Sequence, residues 1–161
     1  MGLESIDVRN KRMPKCIDRF DGEYAFLSNF YLCPVVYDGM MYSNSEAAFQ
    51  AAKCASLEDR VPFTRMTPRE AKKAGRMVEL KPTWYAYRTE AMLEILRDKF
   101  RRTPALRRWL VATGDAELIE GNHWHDNYWG NCSCPRCTDA TGCNMLGKLL
   151  MQVRKELKET T

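Results

Sequence analysis

The sequence has no apolar run that approaches the roughly 20 residues needed to cross a bilayer. Its first residues do not have the pattern of a signal peptide. Ser5 also lies one position too close to Gly2 for a myristoylation site. We therefore expect a cytoplasmic protein that has no membrane partner.

The chain also lacks a large excess of one charge. Its formal net charge is +4 and its sequence pI is about 8.7, whereas a dedicated nucleic-acid-binding protein carries a clustered basic face. A mild positive charge is compatible with a phosphate-bearing ligand. With 45% hydrophobic residues and no repeat, low-complexity tract or linker, the 161 residues fit one globular domain. We assign residues 1–15 to a loose N-terminal segment and residues 16–161 to that domain.

Turn and capping residues predict a helix-rich domain that begins with a small β-structure. Residues 24–27 look β-like, and Asp38 with Gly39 separates two short apolar runs, which is typical of a tight hairpin turn. Helix caps and apolar spacing then predict five helices, which begin near Asn44, Thr67, Thr83, Thr103 and Asn144. The apolar face of the last helix consists of Leu146, Leu149, Leu150, Val153 and Leu157. The fold class is α+β: a single helix-rich domain with a small N-terminal hairpin or sheet.

The most informative segment is the first predicted helix, because one of its faces mixes side-chain chemistries. Glu46, Phe49, Gln50 and Lys53 occupy positions i, i+3, i+4 and i+7, which lie on one stripe of a helix. A buried stripe usually carries Leu or Ile, and an exposed stripe rarely carries Phe. Such a mixture indicates the wall of a pocket. An ordinary exposed Glu–Lys ion pair is the alternative.

Three other segments could contribute to a site. Ser28 and Asn29 lie between apolar residues, where a turn that satisfies its own backbone is the simplest interpretation. Residues 126–130 combine an acid with Trp129, and aromatic faces stack on nucleobases. Residues 142–147 place glycine before a helix N-terminus, where backbone N–H groups and the helix dipole attract anions.

Four of the seven cysteines lie close together: Cys132, Cys134, Cys137 and Cys143. In a reducing compartment such a cluster indicates a metal before disulfides, and thiolates bind Zn²⁺ tetrahedrally. Four ligands within a dozen residues are crowded, so His123 and His125 are reserve ligands. Structural zinc is therefore a hypothesis. Catalytic zinc of the deaminase type is not expected, because the His-x-Glu and Pro-Cys-x-x-Cys spacing is missing. No redox cofactor is expected.

These motifs, in their order, resemble those of the NADAR family, the YbiA-like proteins. The resemblance rests on Phe-Leu-Ser-Asn-Phe at 26–30, Ser-Glu-x-x-Phe-Gln-x-x-Lys at 45–53, Ala-Gly-Arg at 74–76, Asp-x-x-Trp-Gly at 126–130 and Asn-x-Leu-Gly-x-x-Leu-Met at 144–151. Because it covers roughly residues 20–158 in the family's order, the resemblance is specific. It implies a YbiA-like fold.

The resemblance also implies an N-glycosidase, which hydrolyses the bond between ribose C1 and a nitrogen. Family substrates are early riboflavin-pathway pyrimidine intermediates or guanine that carries ADP-ribose. By similarity, Glu46 and Lys53 are the catalytic residues, and Asp126, Trp129 and Asn144 belong to a C-terminal pocket. Glu46 would stabilise the developing cation at C1 or activate water. Lys53 would bind phosphate or attack C1 as a neutral amine.

The expected partner is a phosphorylated ribosyl or ADP-ribosyl small molecule, with ADP-ribosylated nucleic acid as a further candidate. We expect it to contact Ser28, Asn29, Phe49, Gln50, Arg76, Asp126, Trp129, Gly130 and Asn144. Arg76 would hold a phosphate, since a guanidinium fork suits phosphate oxygens, unless it is an ordinary surface arginine. The rival interpretation is a non-enzymatic module that binds ADP-ribose or nucleic acid through a cysteine-rich zinc knuckle. A pure binding module needs neither Glu46 nor Lys53, which favours the hydrolase.

Overall fold

The computed structural model describes residues 13–160, which form a helix-rich α+β domain as predicted. Its strands are β1 (Cys16–Ile17), β2 (Leu32–Tyr37), β3 (Met40–Asn44), β4 (Glu117–Leu118), β5 (Gly121–Asn122) and β6 (Asn131–Cys132). Its α-helices are α1 (Ser45–Ala52), α2 (Leu57–Arg60), α3 (Pro68–Ala74), α4 (Trp84–Arg102), α5 (Pro104–Ala112) and α6 (Met145–Glu159). Short 3-10 helices occupy Gly22–Leu27, Val61–Arg65 and Pro135–Cys137. Most of the loose segment predicted for residues 1–15 lies outside the described residues, so that boundary stays a prediction.

The N-terminal hairpin forms where the sequence predicts it. β2 and β3 pair antiparallel, with the buried residues Val35 and Tyr42 opposite each other. Asp38 and Gly39 have φ values of 49° and 78°, as the two central residues of a type I′ turn require. The hairpin ends at Asn44, where α1 begins, so the turn helps to fix the position of the chemically mixed helix.

The β-like interpretation of residues 24–27 is wrong. Gly22–Leu27 is a 3-10 helix that starts when the Tyr24 N–H donates to the Asp21 carbonyl at 2.9 Å. It buries the side chains of two successive residues, Phe26 and Leu27. In a strand, successive side chains would point to opposite faces. Local apolar content alone did not reveal this geometry.

Two parallel strand pairs connect distant parts of the chain. β1 pairs with β4, so that Cys16 lies beside Glu117, and β5 pairs with β6. Each strand has only two residues, and its partner lies on a different segment. These pairs hold the segment between β4 and β6, which contributes one wall of the site.

The predicted helix starts are largely confirmed. Asn44 Oδ1 accepts a hydrogen bond from the Ala47 N–H at 2.8 Å at the start of α1. Thr67 Oγ1 accepts from the Glu70 N–H at 3.2 Å at the start of α3. After α5 the chain turns at Gly114, which has a φ of 64°. These caps satisfy backbone groups that a helix end leaves free.

Asn144 precedes α6 as predicted, but its side chain does not cap the helix. Its φ is 48°, and its Nδ2 donates to the Leu118 carbonyl at 2.8 Å. Its Oδ1 accepts from the Glu120 N–H at 3.0 Å. A side chain on Gly147 would collide with the Leu118 carbonyl, so glycine allows this close approach. Asn144 therefore ties the start of α6 to the segment after β4.

The core is built around α4, which packs against β2, α1, α5 and α6. The predicted apolar face of α6 is buried in this core, as expected. Lys99 on α4 is also fully buried: its Nζ donates to the Ser28 carbonyl at 2.9 Å and lies 5.1 Å from the centre of the Phe100 ring. Burial lowers the pKa of Lys99 to about 8. None of the helices described between residues 13 and 160 has the length and apolar character of a membrane span.

Candidate active site

A cavity of about 550 Å³ lies where α1, the turn at residues 28–30 and the segment around residues 120–129 meet. Its volume lies within the range of about 300–1,000 Å³ that is usual for small-molecule sites. The predicted residues that line it are Ser28, Asn29, Glu46, Phe49, Gln50, Lys53, Asp126 and Trp129. The structure therefore brings the α1 stripe and the C-terminal aromatic segment to one cavity.

Glu46 lies at the inner end of the α1 stripe and is only 8% exposed. Its Oε1 accepts a hydrogen bond from Gln50 Nε2 at 2.8 Å. Burial raises the pKa of Glu46, while this hydrogen bond and the nearby Lys72 and Lys53 ammonium groups partly oppose the rise. A side chain on Gly75 would collide with Gln50, so glycine at that position lets the amide reach the carboxylate. Glu46 is thus a positioned, poorly hydrated carboxyl group.

Lys53 lies two turns beyond Glu46 on the same stripe and is partly buried. Its Nζ lies 5.9 Å from the centre of the Phe49 ring. Burial lowers the pKa of Lys53; the charge of Glu46 acts in the opposite direction, and Arg76 adds to the lowering. Because both side chains line one cavity and Glu46 is buried, they do not form the exposed surface pair considered above.

An aromatic wall faces the stripe. The ring centres of Phe49 and Trp129 are 5.2 Å apart with an interplanar angle of 84°, an edge-to-face contact. The Trp129 N–H donates to Asp126 Oδ1 at 2.9 Å, and the Tyr128 N–H donates to the same oxygen at 3.2 Å. Asp126 therefore stabilises the turn that presents Trp129, while its own side chain also borders the cavity.

The turn at Ser28 and Asn29 satisfies backbone groups, as its simplest interpretation predicts, and both residues also line the cavity. Ser28 Oγ accepts from the Phe30 N–H at 3.1 Å, and the Asn29 carbonyl accepts from the Glu46 N–H at 3.1 Å. These contacts join the turn to α1. Asn29 Oδ1 is nevertheless buried with no hydrogen-bond partner among residues 13–160. It is an acceptor that a hydroxyl or amine of a ligand could satisfy.

Three of the predicted contact residues do not line the cavity: Arg76, Gly130 and Asn144. Arg76 is exposed after α3 and contributes positive charge near Lys53. Gly130 has a packing role, because a side chain there would collide with the Glu120 carbonyl. The side chain of Asn144 is already bonded to the backbone after β4. Gly130 and Asn144 therefore support the walls of the cavity without bordering it, whereas Arg76 contributes only its charge.

Sequence reasoning missed four charged residues that line the cavity: Arg19, Asp21, Lys72 and Glu120. Burial raises the pKa of Glu120 to about 7, with the negative charges of Asp126 and Glu46 adding to the effect. Lys72 Nζ lies between two rings, 5.6 Å from the centre of Phe30 and 5.5 Å from that of Trp124. The sequence signal that could have indicated Glu120 is its position, as an acid directly after the apolar pair at residues 118–119. The lysine-rich α3 gave no comparable signal for Lys72.

A cluster that could hold a metal ion begins at His125, directly before Asp126 in the sequence. Its members differ from the predicted ligand set at one position. The ligand atoms of His125, Cys132, Cys134 and Cys137 all lie within 4.8 Å of one another. Cys143 is exposed and is not a member, because the chain has already turned towards α6 at that point. Of the two reserve ligands, His125 joins the cluster, whereas His123 lines the cavity.

Comparisons with known proteins identify relatives of this chain in sequence and in fold. The NADAR domain matches residues 17–158. A riboflavin biosynthesis protein of Vibrio vulnificus is 35% identical over 162 residues, which cover 95% of this chain but only 41% of that longer protein. The N-glycosidase YbiA of Escherichia coli K12 is 34% identical over 138 residues, 84% of this chain and 82% of the relative. The NMR structure of E. coli YbiA superimposes with a TM-score of 0.78 at 32% identity, covering 92% of this chain and 89% of that one.

Proposed function

The chain belongs to the NADAR family, and we propose that it is an N-glycosidase that hydrolyses the ribose C1–N bond of a phosphorylated ribosyl base. It is an enzyme that acts on N-glycosidic bonds. One observation carries the proposal: a buried carboxyl group and a partly buried amine, Glu46 and Lys53, share one helix face in a cavity walled by Trp129. The names of the relatives, N-glycosidase and riboflavin biosynthesis protein, point to the same chemistry.

The reaction requires a negative group beside C1, because positive charge develops there as the C1–N bond breaks. Glu46 supplies this group. Its carboxylate stabilises the cationic C1 and accepts a proton from the attacking water, whose oxygen then bonds to C1. The hydrogen bond from Gln50 fixes one carboxylate oxygen and leaves the other for this task.

The remaining groups of the cavity suit the rest of such a substrate. The faces of Trp129 and Trp124 offer stacking surfaces for a base, and Lys72 offers positive charge for phosphate. The unsatisfied Asn29 Oδ1 suits a ribose hydroxyl or an amino group. The two substrate classes that this arrangement fits are a ribosylamino-pyrimidine phosphate and an ADP-ribosylated guanine, free or within a nucleic acid.

Two roles are open to Lys53, and they predict different chemistry. As a phosphate ligand it acts through its charge. As a nucleophile its neutral amine attacks C1, expels the base and forms a Schiff base that water hydrolyses. Burial lowers the pKa of Lys53, which suits the nucleophile, while the charge of Glu46 opposes this lowering. We favour the charge role, because a phosphorylated substrate needs cationic partners and Lys53 lines the cavity together with Lys72. Reduction with borohydride during turnover would trap a covalent adduct only if Lys53 is the nucleophile.

The test is to incubate the purified protein separately with a ribosylamino-pyrimidine phosphate and with ADP-ribosylated guanosine, and to measure base release by chromatography. We expect release from at least one, and loss of roughly 100-fold or more of kcat in Glu46→Gln. Glu79→Gln, at an exposed position before α4, is the matched control and should behave like the unaltered protein. Binding of either ligand without base release would instead support the non-enzymatic module.

We also propose that His125, Cys132, Cys134 and Cys137 bind a structural zinc ion. One His and three Cys are a common zinc ligand set. The thiol sulfurs already accept hydrogen bonds, since Asn127 Nδ2 donates to Cys137 Sγ at 3.3 Å and the His125 N–H donates to Cys132 Sγ at 3.3 Å. Such outer contacts are typical of metal thiolates. Elemental analysis should find about one zinc per chain in the native protein and none in Cys134→Ser; an equally metal-free native sample would contradict the proposal.

A further inference from the structure

Glu120 is held in the cavity by its backbone, while one oxygen of its carboxyl group has no hydrogen-bond partner among residues 13–160. Its N–H donates to Asn144 Oδ1 at 3.0 Å, and its carbonyl accepts from the Asn131 N–H at 2.8 Å. Gly130 packs directly against the same residue. In contrast, Glu120 Oε2 is buried and has no hydrogen-bond partner in the part of the chain that the structure describes. A buried oxygen without a hydrogen bond costs free energy of folding. Its presence at a fixed position therefore indicates a role other than stabilising the fold.

The cavity that Glu120 lines is the one that contains Glu46. The charged groups around Glu120 are the carboxylates of Asp126 and Glu46 and the ammonium groups of Lys72 and Lys99. Burial and the two neighbouring carboxylates favour its protonated form. Two carboxyl groups that share a cavity but differ in protonation can divide acid and base roles between them.

Cleavage of a C1–N bond requires such an acid. The electron pair of the bond goes to the nitrogen, and a neutral base leaves only if this nitrogen receives a proton. Glu46, which accepts a proton from the attacking water, cannot also donate one in the same step. The proposed function therefore requires a second group in the cavity as the proton donor. With Lys53 and Lys72 assigned to phosphate, Glu120 is the remaining group whose surroundings favour its protonated form.

We infer that Glu120 is this catalytic acid: its carboxyl O–H donates the proton to the leaving nitrogen while Glu46 receives one from water. The inference rests on the proposed function of the site. The step is balanced, because the water oxygen bonds to C1, one water proton passes to Glu46, and the Glu120 proton leaves on the base. Transfer of a proton from Glu46 to Glu120 through solvent then restores the starting state.

The test compares pH–rate profiles of the unaltered protein, Glu120→Gln and Glu120→Asp, with the substrate that the unaltered protein cleaves. We expect Glu120→Gln to lose roughly 100-fold or more in kcat and to lose the decrease in rate that the unaltered protein shows above about pH 7. Glu120→Asp keeps an acid at a less suitable distance. Its rate should be lower than that of the unaltered protein but should still decrease above about pH 7. This variant also tests the role if Glu120→Gln folds poorly.

The outcomes separate this inference from the function on which it rests. If the unaltered protein cleaves one substrate and Glu120→Gln matches its kcat, Glu120 is not the acid and the proposed function stands. A rate loss with an unchanged pH profile would also overturn the role, because a purely structural residue would produce it. If the unaltered protein cleaves neither substrate, the proposed function fails and the role fails with it.

Discussion

Replacing Glu120 by Gln should raise the stability of the protein at high pH relative to its stability at low pH, even though it removes the inferred acid. The pKa of Glu120 is raised from 4.5 to about 7 in the folded protein, chiefly by burial. A carboxyl group with a raised pKa binds more protons in the folded than in the unfolded state between these two values. The free energy of unfolding therefore decreases as the pH rises from 4.5 to about 7, and the loss remains above that. Gln carries no charge, so the variant does not lose this free energy of unfolding as the pH rises.

The size of the effect follows from the shift. At about 1.4 kcal/mol per pKa unit, a rise of the pKa from 4.5 to about 7 corresponds to about 3 kcal/mol above pH 8. At pH 5 less than about 1 kcal/mol of this has developed, so the difference between the two conditions is roughly 2–3 kcal/mol. An amide in place of the acid leaves a polar atom unsatisfied at either pH, which lowers the stability of the variant equally in both. The comparison across pH cancels that constant contribution.

Urea unfolding of the unaltered protein and of Glu120→Gln at pH 5 and pH 8 measures this difference. We expect the variant to gain roughly 2–3 kcal/mol relative to the unaltered protein between pH 5 and pH 8. Glu79→Gln, which replaces an exposed carboxyl group, should show almost none of it. A stability difference for Glu120→Gln that does not change with pH would show that the carboxyl group is ordinarily hydrated, and would refute the reasoning about its burial.

Three further changes have expected outcomes of their own. Gly75→Ala should displace Gln50 from Glu46, lowering kcat in the base-release assay and the free energy of unfolding by about 1 kcal/mol. Lys53→Arg should keep measurable turnover because it keeps the charge, whereas Lys53→Met should lose roughly 100-fold in kcat/KM. Treatment with a strong zinc chelator should lower Tm by several degrees, and Cys134→Ser should begin at that lower Tm and not respond to the chelator.

Each of these three predictions has a result that would contradict it. Full activity in Gly75→Ala would show that the Gln50–Glu46 hydrogen bond has no part in the reaction. Inactive Lys53→Arg together with a borohydride-trapped adduct would make Lys53 the nucleophile. A native protein whose Tm does not respond to the chelator, and which contains no zinc, would leave the His–Cys cluster as a set of buried thiols.

Much of the architecture could be predicted because its signals act over a few residues. Asp38 and Gly39 supply the positive φ values of a tight turn, and the side chains of Asn44 and Thr67 each accept a hydrogen bond from the N–H group three residues ahead. The α1 stripe follows from helical spacing in the same way, so a shared face for Glu46 and Lys53 was predictable. Where a local signal was ambiguous, as at residues 24–27, the prediction of a strand was wrong.

The composition of the site depended on contacts between distant segments, for which the sequence has no comparable local signal. The sequence by itself determined the helix that carries Glu46 and Lys53, and the motif order that indicates the family. Only the tertiary structure decided that Glu120 enters the same cavity, that His125 takes the place predicted for Cys143, and that Asn144 supports the wall. The physical reason is range: turns and helices follow from neighbouring residues, whereas burial and pKa depend on which segments pack together.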